Sequence, residues 1–392
     1  MTDHRLCVLN AGSSSLKFAL YDVADGSLSR SQSGEVERIG GDGRLRITAA
    51  DGRAVHDHSV RTKDHAEALA ILAGLPDGPL DRAKLIGFGH RVVHGGPDMD
   101  TPVLVDEQTL AKIEALEPLA PLHNPPAVAV LKALAEQYPG LPHVACFDTA
   151  FHRSHPPVAD RFAIPDSLYR EGVRRYGFHG LSYEYIAGAL AERLPEIALG
   201  HVVIAHLGSG ASMCALAGGR SVDSSMGFTA LDGLPMGTRP GSLDSGVILW
   251  LQKQKRWSVD QVEHFLYADC GLKGLSGVSN DMRTLLASDA PLAKMAVEYF
   301  VYHVARTAGA LAAAMSGIDA LVFTAGIGER SPEIRARVLH RLHWLGFSID
   351  EAANQAGQTL LTRADSKLPA YVVLTDEEGV IARHTLVLIS PA

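Results

Sequence analysis

The chain has 392 residues, 46% of them apolar, and a formal net charge of −8. That is enough apolar material for two domain-sized cores, and without a Lys/Arg block it argues against a nucleic-acid partner held by charge. Cys7, Cys146, Cys214 and Cys270 are widely spaced with no CxxC pair, which suits reduced thiols and neither a disulfide framework nor a zinc site. The N-terminal MTDHRLCVLNAG lacks a basic leader and a long apolar core, and no apolar run reaches the ~18 residues of a membrane helix. A cytoplasmic, soluble protein is expected.

Leu6 to Leu9 (LCVL) suits a buried strand, and Leu16 to Val23 (LKFALYDV) alternates apolar and polar, giving strand, tight turn, strand. The turn, within NAGSSSLKF, packs Gly12 against three serines with Lys17 at its exit. Closely spaced N–H groups, hydroxyls and an ammonium suit a polyphosphate; an ordinary hairpin turn fits the same residues. Further strands are expected at 44–49 and 54–61, and a helix from the N-cap Asp64 to about Leu75. Leu85 to Val93 (LIGFGHRVV) is a strand that leaves Arg91 near its end, beside His94-Gly95-Gly96-Pro97. Helices over 106–116 and 127–137 flank the proline-rich PLAPLHNPP, which carries Leu122 and His123. His143 to Phe147 is the next strand, and Asp148 stands at its C-terminal end, where α/β sheets usually hold ligands.

The pattern then restarts, with a domain boundary expected near residue 150. His201 to Ala205 is an apolar strand leading into HLGSGAS, His206 to Ser212. Aligning NAGSSSLKFAL with HLGSGASMCAL matches Gly, Ser, Ala and Leu, which reads as a duplicated phosphate-gripping hairpin. Helical periodicity follows at 245–253, 259–268 and 291–315. The strand 319–324 runs into the glycine-rich Ala325 to Arg330, then a helix from about Pro332. Tyr371 to Leu374, the last strand, delivers Asp376, Glu377 and Glu378 onto a turn before the final helix.

Familiar signatures are absent. No GxxxxGK[ST] occurs, AGIGERS lacks the third glycine of a dinucleotide fingerprint, and GASMC breaks the nucleophile-elbow pattern. What remains suits phosphoryl transfer, which needs positioning and charge neutralisation more than covalent chemistry. Arg91 in GHRVVHGG and Arg239 in GTRPG lie against glycines, and arginine's planar fork grips phosphate or carboxylate. Each also reads as a salt-bridged arginine, His179 in RYGFHG as a satisfied buried histidine, and Glu377 and Glu378 as a helix start.

NAGSSSLKF, GHRVVHGG, PLHNPP, FDTAFH, RYGFHG, HLGSGAS, MGTRPG, SNDMR, FTAGIGER and TDEEGVIAR resemble, in the same order, motifs of the acetate kinase family. They span Asn10 to Arg383. The resemblance implies the α/β fold of the actin, Hsp70 and sugar-kinase type: two related ribonuclease-H-like domains with an interdomain cleft. The domains would be 1–150, completed by a C-terminal helix at 380–392, and 151–379, a nucleotide-binding and dimerisation domain. It implies a homodimer that transfers the ATP γ-phosphoryl reversibly to acetate, giving acetyl phosphate and ADP, with Mg²⁺ or Mn²⁺ in its place, and no nucleic-acid or membrane partner.

By motif position, Asn10 and Glu377 would serve the metal. Ser13, Ser15 and Lys17 would meet phosphate, and His206, Leu207, Gly208, Ser209, Gly210, Asp281, Met282, Arg283, Gly326, Ile327, Gly328, Glu329 and Arg330 the nucleotide. Arg91 would bind the carboxylate with Asp148 as the catalytic acid, and His179 and Arg239 would stabilise the transition state. Val93, Leu122, His123, Phe178 and Ala230 would line the acceptor pocket. Acetate is already ionised at neutral pH and has no proton to give up, so Asp148 is expected to orient Arg side chains or Mg²⁺ more than to move protons.

Several positions depart from the family pattern. Ala230 replaces proline, which predicts easier acceptance of propionate, while Ser209, Asp376 and Arg330 each replace asparagine. The same chemistry on propionate or butyrate is the nearest alternative. An actin- or Hsp70-like nucleotide-switched interaction protein is the alternative of another class, and Arg91 with its apolar neighbours speaks against it.

Overall fold

Two hairpins of alternating and apolar sequence each seed a sheet, and the two sheets share one plan. The structure is a computed structural model that describes residues 4–390. It divides into two units, Met1–Phe151 with Asp376–Ala392, and His152–Thr375.

The first unit holds β1 (His4–Ala11), β2 (Ser15–Ala24), β3 (Ser27–Glu37), β4 (Gly41–Ala49), β5 (Ala54–Thr62), β6 (Leu85–Val92), β7 (Val103–Leu104) and β8 (His143–Phe147), in the order β5-β4-β3-β2-β1-β6-β8-β7. The second holds β9 (His201–Leu207), β10 (Ala211–Ala217), β11 (Arg220–Ser224), β12 (Ala320–Thr324) and β13 (Ala370–Val372), ordered β11-β10-β9-β12-β13. In each unit the hairpin's first strand pairs antiparallel with its second and parallel with a later strand, β6 or β12. A further parallel strand, β8 or β13, extends the sheet. This repeated mixed sheet is the ribonuclease-H-like plan of actin and sugar-kinase type proteins.

Burial explains why the apolar runs became central strands. Leu6 to Leu9 in β1 and Val202 to Ala205 in β9 are at most 1% exposed, as expected of strands covered on both faces. The first core gathers Leu16, Phe18, Leu20, Val36, Leu45 and Ile47 against Leu69, Leu72 and Leu134. In the second unit, the helix Pro291–Ala314 lays Ala293, Ala296, Val297, Phe300, Val301 and Val304 inward.

Two glycines position the C-terminal helix Glu377–Ile389 on β6. A Cβ at Gly89 would lie 2.5 Å from Thr385 Oγ1 and 2.6 Å from Ile381 Cγ2, and one at Gly87 would lie 3.2 Å from Ile389 Cδ1. The GFG of LIGFGHRVV is thus the seat of that helix, whose first residue is Glu377.

The structure departs from the expectations in several places. Glu377 and Glu378 lie in the first helical turn, because the Asp376 side chain accepts from Gly379 N and caps it, where acids complement the dipole. The chain returns to the first unit at Asp376 and not near residue 380, so Glu377 shares a unit with Arg91. Ala325–Arg330 is itself helical. β13 ends at Val372, and Leu374 is 67% exposed. β3, largely polar and half-buried, and the helix Gly180–Arg193 were not anticipated.

Candidate active site

Parallel neighbours bring their C-terminal ends together, so Asn10 of β1, Arg91 of β6 and Asp148 after β8 meet at one edge of the first sheet. Arg91 Nε and Nη2 donate to Asp148 Oδ1 and Oδ2 at 2.9 and 2.5 Å, and Nη1 donates to Asn10 Oδ1 at 3.2 Å. Asp148 is 1% exposed. Glu377 Oε2 stands 3.9 Å from Arg91 Nε, with both side chains 19% exposed. Burial alone would lower the Arg91 pKa; Asp148 and Glu377 outweigh it and carry it above the ordinary arginine value. Burial pushes Glu377 up to about 7, against the pull of Arg91 and with the help of Asp148 and Glu378. Buried and only partly offset by Arg91, the Glu377 carboxylate is therefore short of positive charge.

That shortage is the test of whether the residues suit Mg²⁺. Among the described residues no three His, Cys, Asp or Glu form a metal cage, but Mg²⁺ commonly takes one or two carboxylates and completes its shell with water and substrate phosphate. Asn10 and Glu377 supply hard oxygens, and a dication would satisfy the raised Glu377. The donor set fits.

The acceptor motifs of this unit are tied together. His94 N donates to Asn124 Oδ1 and Asn124 Nδ2 returns a bond to His94 O, each 3.1 Å, while Gly95 N donates to Thr149 Oγ1 at 3.0 Å. GHRVVHGG, PLHNPP and FDTAFH are thereby held to one another, with Val93 buried and Leu122 41% exposed. In the opening hairpin Asn10 pairs with Lys17, and Ser13 and Lys17 are exposed while Ser15 is half-buried.

In the second unit His179 adopts φ 58° at the N-cap of the helix Gly180–Arg193. Its ring stacks on His206 with centroids 4.1 Å apart. Ser212 Oγ lies 2.8 Å from His179 Nδ1 and 2.5 Å from the Tyr183 hydroxyl, and His206 Nδ1 meets Ser182 Oγ at 2.9 Å. Arg239 Nη1 donates to Ala230 O at 2.7 Å. A Cβ at Gly210 would fall 2.9 Å from Arg239 Nη2 and 3.3 Å from His179 Nε2, so the HLGSGAS turn runs directly beside both. Gly237 N donates to Ser209 O at 3.0 Å, fastening MGTRPG to the same turn.

Next to this turn lies a pocket of about 280 Å³ lined by Gly208, Ser209, Asp281, Met282, Arg283, Gly326, Ile327 and Arg330, with Leu286 and Ser331. Eight of the expected nucleotide residues thus converge. Leu286 and Ser331 were missed; Ser331 directly follows FTAGIGER and Leu286 lies three residues past SNDMR. Leu207 and Gly328 are buried in the core and His206 is 7% exposed; none of the three lines the pocket. Glu329 turns inward: its Oε1 accepts from Ala325 N and Thr375 N, both 3.0 Å. Phe178 is 2% exposed, and with Ala230 it belongs to the second unit, whereas Val93, Leu122 and His123 belong to the first.

Residues 5–383 match the model of the acetokinase family. The chain is 54% identical over 388 residues to an acetate kinase of Nitrobacter hamburgensis, covering 98% of this chain and 96% of that protein. It is 51% identical over 387 residues to an acetate kinase of Rhizobium meliloti, covering 98% of each. A crystal structure of Porphyromonas gingivalis acetate kinase superposes with a TM-score of 0.87 at 33% identity, covering 99% of this chain and 100% of that one. A propionate kinase from Francisella tularensis superposes with 0.90 at 35% identity, covering 97% and 98%. With its motifs, its duplicated sheet and near-complete coverage of these relatives, the chain belongs to the acetokinase family.

Proposed function

We propose that this protein is an acetate kinase, transferring the γ-phosphoryl of ATP reversibly to acetate by direct in-line displacement. The observation that carries the reading is the Arg91–Asp148 pair at the carboxyl edge of the first sheet. Arg91 would grip the acetate carboxylate, and Asp148 would fix the guanidinium through two bonds. Acetate attacks as the anion it already is, so no general base is needed. His179 and Arg239, beside the HLGSGAS turn, would neutralise charge gathering on the transferred group's equatorial oxygens. The nucleotide would occupy the pocket of the second unit. Asn10 and Glu377 would hold Mg²⁺, which when bound offsets phosphate charge.

We further infer a cytoplasmic homodimer. Leu292, Met295 and Tyr302 lie on one stripe of the helix Pro291–Ala314 and are 56%, 41% and 49% exposed. Leu249 and Trp250 on the helix Ser245–Gln254 are 52% and 50% exposed. Apolar exposure of this kind suits a subunit contact.

The function is tested by following ADP release from ATP and Mg²⁺ with and without acetate, propionate and butyrate. ADP release that depends on acetate supports the reading. Slow release indifferent to every carboxylate favours a nucleotide-switched interaction protein.

A further inference from the structure

The short helix Ala325–Arg330 supplies Gly326, Ile327 and Arg330 to the nucleotide pocket, with Ser331 just beyond it. It makes fewer than two turns, too short to hold its own place, and it starts on Ala325 in a left-handed conformation, φ 63°, which is strained for a residue with a Cβ. Something outside the helix must hold it. At its start, Glu329 Oε1 accepts from Ala325 N and Thr375 N.

At its end stands Arg335, 1% exposed. Arg335 Nη1 donates to the carbonyls of Gly328 and Glu329 at 2.9 and 2.8 Å, Nε to Asn354 Oδ1 at 2.8 Å, and Nη2 to Asn354 O at 2.9 Å. Asn354 Nδ2 in turn donates to Pro332 O at 2.8 Å. Among the described ion pairs Arg335 has no acid partner, and burial lowers its pKa. Its charge is met instead by helix-terminal carbonyls, the negative end of the dipole. A buried arginine is costly, and every bond it makes is spent on fixing this one helix end to the helix Glu351–Gln355.

We propose that Arg335 and Asn354 are positioning residues that set nucleotide affinity: they clamp the end of Ala325–Arg330 without touching the pocket it lines. Glu329 clamps the other end. Asn354 therefore tunes the nucleotide site at second hand and leaves the Arg91 half of the chemistry alone.

The proposal rests on the reading of the 280 Å³ pocket as the nucleotide site, and the test separates the two. Mg-ADP affinity is measured by calorimetry, and KM for ATP and for acetate by steady-state kinetics, for the wild type, Arg335→Lys and Asn354→Ala. Asn354→Ala removes two side-chain bonds, the one from Arg335 Nε and the one to Pro332 O, which predicts a rise in nucleotide Kd and ATP KM of roughly tenfold, with acetate KM within about twofold of the wild type. Arg335→Lys keeps the charge but loses the fork, so it weakens nucleotide at least as much. If the lysine variant does not fold, Asn354→Ala carries the test, because three of the four acceptors of Arg335 remain. Unchanged nucleotide Kd with only a lower melting temperature overturns the clamp, as does equal weakening of nucleotide and acetate. A wild type that binds no Mg-ADP overturns the site assignment itself.

Discussion

Replacing Asp148 by Asn tests whether its carboxylate orients Arg91 or moves a proton. In the structure both oxygens accept from the guanidinium, at 2.9 and 2.5 Å, and the side chain is 1% exposed. An amide keeps one acceptor and turns an NH₂ donor toward an N–H donor, leaving the Arg91 charge half-paired. Breaking a fully buried pair costs about 3–5 kcal/mol, and because the Arg91 side chain is 19% exposed the lower end, about 3 kcal/mol, applies. If the loss falls on acceptor binding and orientation, kcat/KM for acetate drops on the order of 10²-fold. At saturating Mg²⁺ it should drop equally from pH 6 to 9, since no titrating proton carrier has been removed. A second readout is signed. Asp148 is one of the charges holding the Glu377 pKa at about 7, so its neutralisation lowers that pKa, and the pH at which Mg²⁺ affinity is half-maximal moves down. Acyl hydroxamate formation across pH, with Mg²⁺ titrations at each, supplies both numbers. Loss of one ionisation limb from the rate profile, with Mg²⁺ affinity unmoved at every pH, refutes the orienting role.

Other expectations are independent of that one. Gly89→Ala drives a methyl into Thr385 and Ile381, so it should cost about 1–3 kcal/mol, seen as a lower melting temperature, and should weaken Mg²⁺ and acetate more than ADP. Burial lowers the pKa of His143 and His152 to about 4, of His155 to about 2, and of His90 well below the usual value. The unfolded chain therefore takes up protons first as pH falls below about 6.5, and stability present above that pH is lost on acidification. Each group contributes roughly 1–2 kcal/mol of this loss between pH 7 and 5; a urea midpoint that does not fall over that range contradicts it. Ala230→Pro should raise the acetate-to-propionate ratio of kcat/KM by about tenfold, the worth of a methylene in a pocket, and an unchanged ratio removes Ala230 from acceptor selection.

Residues that break the grammar of a strand were readable from sequence. Arg91 ends an apolar run, Asp148 follows another, and the Gly/Ser turns interrupt two more, so their placement at sheet ends followed from strand topology alone. Glu329 and Arg335 were harder, because a charged residue in a helical stretch ordinarily faces water. Yet Arg335 shares a helical stripe with Val338 and Leu339, both buried, and that register marked it as inward-facing. The seat of the C-terminal helix was illegible as such: GFG reads as flexible until a helix from the far end of the chain is found lying on it. β3 was missed because its polar, half-buried residues carry no period.

The most direct test of the account is acyl hydroxamate production from ATP, Mg²⁺ and acetate by the wild type beside Arg91→Ala. The wild type should form product that requires both acetate and Mg²⁺, reduced by at least 10²-fold when Arg91 is removed while Mg-ADP still binds. ATP hydrolysis without hydroxamate, or hydroxamate formed equally well without Arg91, would contradict it.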